Sequence, residues 1–148
     1  MEKIIRQPTT SDEWNSYFDL RYRILRAPWN QPPGSEKNEG DESAEHAACF
    51  LNGEIIGVGR LDLFEYDYGQ VRFMAVEKDY QGIGIGKSII EYLEDLSLAR
   101  GDKGMVLHAR ENALEFYNKL GYILVEKSHL LFGEIQHYLM SKEYVSRK

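Results

Sequence analysis

The chain has a single cysteine, Cys49, so no intrachain disulfide forms. That fits a reducing compartment and points to the cytoplasm. It has no apolar run near the roughly 20 residues that cross a bilayer. Met1 to Gln7 lacks the long apolar core of a secretion signal. Positive charge is in deficit: 18 lysines and arginines stand against 24 acidic residues, a net charge of −6. That is the wrong sign for a protein that binds nucleic acid by neutralising phosphates. No internal repeat and no low-complexity tract is present, and no metal site is expected. What is there is ordinary globular composition, 43% hydrophobic and 28% charged over 148 residues. A chain of that size buries roughly two-thirds of its unfolded surface, so residues 1–148 are read as one domain with its own core.

Local patterns give an order of elements. Lys3 to Gln7 reads as a strand, and Thr10 with Glu13 as a capping box opening a helix. Trp14, Tyr17, Phe18, Arg21 and Leu25 recur at helical spacing, and Pro28 ends the helix near Ala27. Pro28 to Glu45 is irregular, with five carboxylates and one lysine between Glu36 and Glu45. It is either a solvated loop or an acidic lip over a site for a cation. Asn52-Gly53 signals a type I′ turn between strands Ala47–Leu51 and Glu54–Leu63, where Gly57 and Gly59 suggest a bulge. A turn is expected over Tyr66–Gly69 and a third sheet strand over Gln70–Val76. Lys87–Arg100 reads as an amphipathic helix capped by Gly101, and Met105–His108 as a strand. Asn112, with Glu115 in the capping-box position, opens a helix ended by Gly121. Strands over Tyr122–Lys127 and Gln136–Tyr144 complete a mixed sheet with helices on its faces.

The sharpest chemical feature is Gln81-Gly82-Ile83-Gly84-Ile85-Gly86-Lys87-Ser88, between a strand and a helix. Alternate glycines let backbone N–H groups approach a ligand, and the helix N-terminus adds positive dipole, which makes an anion site. Two nucleotide motifs fail on spacing. A P-loop needs a glycine where Gln81 stands, and the third glycine comes one residue too early for the dinucleotide fingerprint.

Met74-Ala75-Val76, then Tyr80 to Gly86, then a helix and a strand, then Asn112 to Tyr122 together resemble the GNAT superfamily of acyltransferases. The resemblance is strong over Val71–Tyr122, and the order of elements extends it to the whole chain. It implies an α/β fold with an open, splayed, mostly antiparallel sheet, the strands Val71–Val76 and Met105–His108 diverging around the pantetheine arm of acetyl-CoA. Met74, Ala75 and Val76 would meet that arm; the amides of Gln81, Gly82, Ile83, Gly84, Ile85, Gly86, Lys87 and Ser88 would meet the pyrophosphate. Ala113 and Phe116 would flank the cofactor, with Asn112 either a further contact or only a helix cap. Tyr117 matches the family's frequent tyrosine near the cofactor sulfur, or else packs on the helix's apolar face. Many members carry asparagine where this chain has Arg110, which is offered as a contact to a coenzyme phosphate.

The expected activity is transfer of an acetyl group from acetyl-CoA to a primary amine, small molecule or peptide, by direct attack in a ternary complex. An alkyl ammonium has a pKa near 10, so a base is needed. Glu65, Glu77, His46, His108 and His137 are candidates, with His108 favoured by its position opposite the cofactor strand and a water chain as a substitute. By similarity to one small bacterial branch, Arg21, Trp29 and His137 fall near the acceptor. The acidic loop suggests a cationic acceptor. A homodimer is compatible with the sequence. The rival reading is a non-catalytic acyl-CoA-binding sensor or scaffold, which would keep the glycine loop and lack a base and acceptor pocket.

Overall fold

In the computed structural model, which describes residues 2–65 and 67–145, the apolar runs assemble into one seven-stranded sheet. The elements are β1 (Lys3–Arg6), α1 (Ser11–Leu25), β2 (Glu45–Leu51), β3 (Glu54–Phe64), β4 (Tyr68–Val76), α2 (Ile85–Ala99), β5 (Gly104–Arg110), α3 (Leu114–Lys119), β6 (Ile123–Leu131) and β7 (Ile135–Glu143). The strand order is β1-β2-β3-β4-β5-β7-β6, antiparallel except for β4 against β5. This is the mixed, mostly antiparallel α/β architecture expected from the residues. Of the turn expected over Tyr66–Gly69, Tyr66 lies outside the described residues, and Tyr68 and Gly69 already belong to β4.

Helix starts follow their capping chemistry, with two corrections. The Glu13 amide donates to Thr10 Oγ1 at 3.1 Å, as a cap should. The Glu13 carboxylate accepts from the Thr9 amide (2.8 Å) instead of the Thr10 amide, and clamps Arg6 at 2.9 and 2.8 Å. The second correction concerns Asn112. It does not open the α-helix but lies in a short 3-10 turn, Glu111–Ala113, and α3 starts at Leu114 without a side-chain cap. The Leu114 amide bonds the Glu111 carbonyl, so the turn satisfies itself through backbone and the Asn112–Glu115 box does not form.

Two core layers sandwich the sheet. On one side α2 buries Ile85, Ile89, Ile90 and Leu93 over Ile56, Leu61, Val71 and Leu107. On the other, Tyr17 and Leu20 of α1 pack on Ala48, Phe50, Val58 and Ala75. Gly57 and Gly59 have a packing role: a Cβ there would come within 2.7 and 2.9 Å of Ile89 side-chain atoms. Their absence of side chain lets α2 lie close to β3.

The sheet opens at a bulge. Val58 pairs with Ala75 and Arg60 with Arg72, so Gly59 faces two residues, Phe73 and Met74. The extra residue therefore sits on β4, where Phe73 takes a positive φ of 54°. Pairing of β4 with β5 runs only from Tyr68–Val71 against Gly104–Leu107, whereas β5 stays paired with β7 through Arg110. Beyond Val71 the two arms of the sheet part, and one edge of Arg72–Val76 has no strand beside it.

The acidic segment is folded, not a free lip. Asn38 and Asp41 cap a 3-10 turn over Glu39–Glu42. Asp41 Oδ1 accepts from Arg21 Nη1 at 2.9 Å and Arg60 Nη1 at 3.0 Å. Arg21 and Arg60 are almost wholly buried. Glu36 is buried as well and accepts from the Gly34 amide at 2.8 Å. Of the five carboxylates, Asp41 thus holds the segment onto α1 and β3, and Glu36 braces it from within.

Candidate active site

A cleft of about 950 Å³ lies where β4 and β5 diverge. That is at the upper end for small-molecule sites, roughly 300–1,000 Å³. Its first end is the loop between β4 and α2. Gly82 and Gly84 have φ of 83° and 92°, and nothing lies within 4 Å of where their Cβ atoms would be. The left-handed backbone and the open space above it require glycine and leave room for a ligand. No side chain caps the N-terminus of α2, so its first amides keep their donors free. Gln81 Nε2 donates to the Val76 carbonyl at 3.0 Å and ties the loop to β4. Lys87 and Lys119 complete this end as cations.

The middle of the cleft is walled by Met74, Ala75 and Val76 on one side and Ala113, Phe116 and Tyr117 on the other. The Glu77 amide donates to the Ile56 carbonyl at 2.8 Å, toward β3. Successive strand amides alternate, so the Val76 N–H points into the gap. Tyr117 is buried on the core side, and its hydroxyl makes no hydrogen bond to the described residues. Burial pushes its pKa up to about 12 against the opposing pull of Arg110. The phenol therefore keeps its proton and has it free to donate.

The far end carries His108, His129 and His137 together with Arg26, Arg72 and Arg110. The imidazoles of His129 and His137 stack at 4.5 Å, and that of His108 lies 5.0 Å from His129. His137 Nδ1 donates to the Ile135 carbonyl at 3.0 Å, which leaves Nε2 as the basic nitrogen. His108 Nδ1 shares a hydrogen with Ser128 Oγ at 2.9 Å. Burial, then the neighbouring His129, lowers the pKa of His108; burial leads the lowering of His137 as well. Both are neutral at pH 7.

Residues 14–122 match the acetyltransferase (GNAT) family model. The chain belongs to this family. It is 28% identical over 126 residues to the uncharacterized N-acetyltransferase YjcF of Bacillus subtilis, covering 85% of this chain and 89% of that one. Its fold superposes on an aminoglycoside 6'-N-acetyltransferase complexed with coenzyme A with a TM-score of 0.81, at 19% identity over 98% of this chain and 99% of that one. A GNAT acetyltransferase from Elizabethkingia anophelis with acetyl-CoA bound superposes with a TM-score of 0.77, at 18% identity over 96% and 98%.

Set in the GNAT frame, most sequence candidates converge on the cleft wall: Met74, Ala75, Val76, Gln81, Gly82, Gly84, Gly86, Lys87, Ala113, Phe116, Tyr117, His108 and His137. Others do not. Ile83, Ile85, Ser88 and Asn112 are outside the wall. Ile85 is core, and the Ser88 hydroxyl donates to the Gly84 carbonyl (3.0 Å) and accepts from Lys3 (2.6 Å). Arg21 lies beneath the cleft, bonded to Asp41, the Glu36 carbonyl and Tyr17. Trp29 is behind the wall, and the Arg110 guanidinium rests on its ring at 4.5 Å. As bases, Glu77 is clamped by Arg23 at 2.9 and 2.8 Å, and His46 is buried between Tyr17 and the Asp41 carbonyl; Glu65 is not on the wall either. Sequence reasoning missed His129, Arg26, Arg72 and Phe73. The end of α1, the β4 bulge and the β6–β7 register bring them to the cleft, and none of these leaves a local motif.

Proposed function

We propose that this GNAT protein is a cytoplasmic enzyme that moves an acetyl group from acetyl-CoA to a primary amine by direct attack in a ternary complex. One observation carries the reading: the glycine loop, the edge of Arg72–Val76 that β5 leaves, and Tyr117 line a single cleft. The cradle fits the coenzyme, because the Gly82–Gly86 backbone and Lys87 supply the donors and cation that a pyrophosphate needs, in space a side chain would fill. When bound, acetyl-CoA supplies an activated thioester carbonyl.

The chain's residues then divide the work. The Val76 N–H is the donor for the carbonyl oxygen as it gains negative charge. His108 and His137 are neutral imidazoles on the wall, where the described lining has no carboxylate; the acceptor reacts as free amine, and they take the proton that becomes acidic as its nitrogen bonds to carbon. With acetyl-CoA bound, the nitrogen–carbon bond would form as the carbon–sulfur bond broke, and Tyr117 would donate a hydrogen bond to the departing sulfur. Full proton transfer from it is uphill: about 12 for the phenol against roughly 8.5 for a thiol costs about 5 kcal/mol. Tyr117 therefore stabilises the thiolate, whose proton comes from the nitrogen side through the histidines or water.

Cys49 supports direct attack by its position. It is fully buried in β2, away from the cleft wall, and burial pushes its pKa up, so no thiolate is presented for an acyl-cysteine route. The test is release of free thiol from acetyl-CoA by purified protein against a panel of primary amines. Turnover with an initial-rate pattern of intersecting lines is expected. Tight acetyl-CoA binding with no turnover on any amine assigns the protein to the sensor reading.

A further inference from the structure

The far end of the cleft is short of negative charge. No aspartate or glutamate is among the described residues that line it, while Arg26, Arg72, Arg110, His108, His129 and His137 do. The carboxylates nearby are committed elsewhere. Asp62 is held by Arg60 through two bonds of 2.6 Å, and Arg72 reaches it only at 3.6 Å. Asp41 is shared by Arg21 and Arg60.

Two of the arginines make no ion pair with the described residues, although the Glu36 carboxylate lies within the field of Arg26. Arg110 is half-buried on the ring of Trp29 and makes no hydrogen bond or ion pair with the described residues. Arg26 donates only to backbone carbonyls, those of Ser35 at 3.1 Å and Leu25 at 3.0 Å. Burial, then repulsion from Arg21, Arg110 and Arg72, lowers the Arg26 pKa, so these guanidiniums sit within each other's field. Burial lowers that of Arg110 too. A half-buried guanidinium without an acceptor is costly to leave unpaired, and its planar fork fits an oxyanion.

We infer that the acceptor amine also carries an oxyanion, carboxylate or phosphate, which Arg110 and Arg26 hold while the amine faces the histidine wall. This rests on the acetyltransferase reading of the same cleft and reverses the cationic acceptor expected from the acidic segment. That segment's carboxylates either pin its own fold or lie outside the cleft wall.

Matched acceptors test it: phenethylamine against phenylalanine, and ethanolamine against phosphoethanolamine. The oxyanion-bearing member of at least one pair should be preferred by tenfold or more in kcat/KM, and which pair responds tells carboxylate from phosphate. Arg110→Gln should lower kcat/KM for that acceptor about tenfold through KM. It should leave the KM of the member without an oxyanion within about threefold, and an equal loss of coenzyme A affinity would instead return Arg110 to the coenzyme phosphate and overturn the oxyanion. Binding of the N-acetylated members of each pair to the coenzyme A-loaded protein gives the same comparison without turnover. Preference for the member without an oxyanion in both pairs overturns the oxyanion and leaves the acetyltransferase standing. Failure to bind coenzyme A overturns both.

Discussion

The two ends of the cleft are built by opposite means. The anion-binding end is chiefly one continuous segment, Gln81–Lys87, whose donors are backbone amides of the loop and of the first turn of α2, with Lys119 of α3 its one addition. The acceptor end is assembled from α1, β4, β5, β6 and β7, and its groups are side chains of arginine and histidine. Backbone donors have fixed direction and depend on local conformation alone. Side-chain groups from five elements depend on register, on the β4 bulge and on the segment that packs against α1. The first end should therefore fail only when its own residues change, and the second when distant packing changes.

The largest expected effect breaks the first end. Gly84→Asp places a carboxylate at the mouth of the amide cradle, and Gly84→Asn strains the backbone at the φ of 92° equally, so the pair isolates the charge. Coenzyme A binding by calorimetry should fall below detection, whereas Gly84→Asn retains measurable binding. Equal affinities for wild type and Gly84→Asp would remove the pyrophosphate from this loop.

The second end is broken from below. Asp41→Asn removes the charge between Arg21 and Arg60, whose side chains are 0% and 1% exposed, and should cost about 3 kcal/mol of stability in denaturant unfolding. Burial works against ionisation of Asp41, but the Asn38 amide and the Arg21 and Arg60 guanidiniums outweigh it and hold its pKa below the usual value. That contribution is present above the unfolded pKa of roughly 3.9 and is lost as pH falls through the folded one. The gap between wild type and Asp41→Asn should accordingly close in strong acid. His46, whose pKa burial lowers, adds a separate loss that begins as pH drops below roughly 6.5 in both proteins. A gap independent of pH would mean that the Asp41 charge does not matter.

Between the two ends, Tyr117→Phe removes one hydrogen bond to a developing thiolate. Such bonds are worth about 1.5–3 kcal/mol, so kcat should drop roughly 10- to 150-fold with coenzyme A affinity unchanged. A change in kcat under about threefold leaves Tyr117 as packing. The smallest effect sharpens the contrast from outside: Glu39→Gln with Glu42→Gln should leave acceptor KM and its salt dependence within about twofold. Both carboxylates are exposed and off the cleft wall. A raised KM would restore the acidic lip.

Legibility followed the same division. Gly82, Gly84 and the start of α2 could be read because a positive φ, a glycine and a helix N-terminus are local facts. The Asn52-Gly53 turn was readable for that reason, with φ of 52° and 83°. Asn112 misled because a capping residue states a preference that the 3-10 turn before α3 overrode. The fold of the acidic segment was not legible, because composition does not show which carboxylates have buried arginines to meet.

The amino-acid sequence by itself determined the order of elements, the glycine cradle and the position of Tyr117 on α3, since each rests on interactions within a few residues. Only the tertiary structure decided that β4 bulges at Phe73 and leaves β5. Only it decided that Asp41 lies between two buried arginines. It alone brought three histidines and three arginines to one wall without a carboxylate. Those outcomes depend on pairings between residues tens of positions apart, where the cost of burying charge is settled by whichever partner the fold brings near.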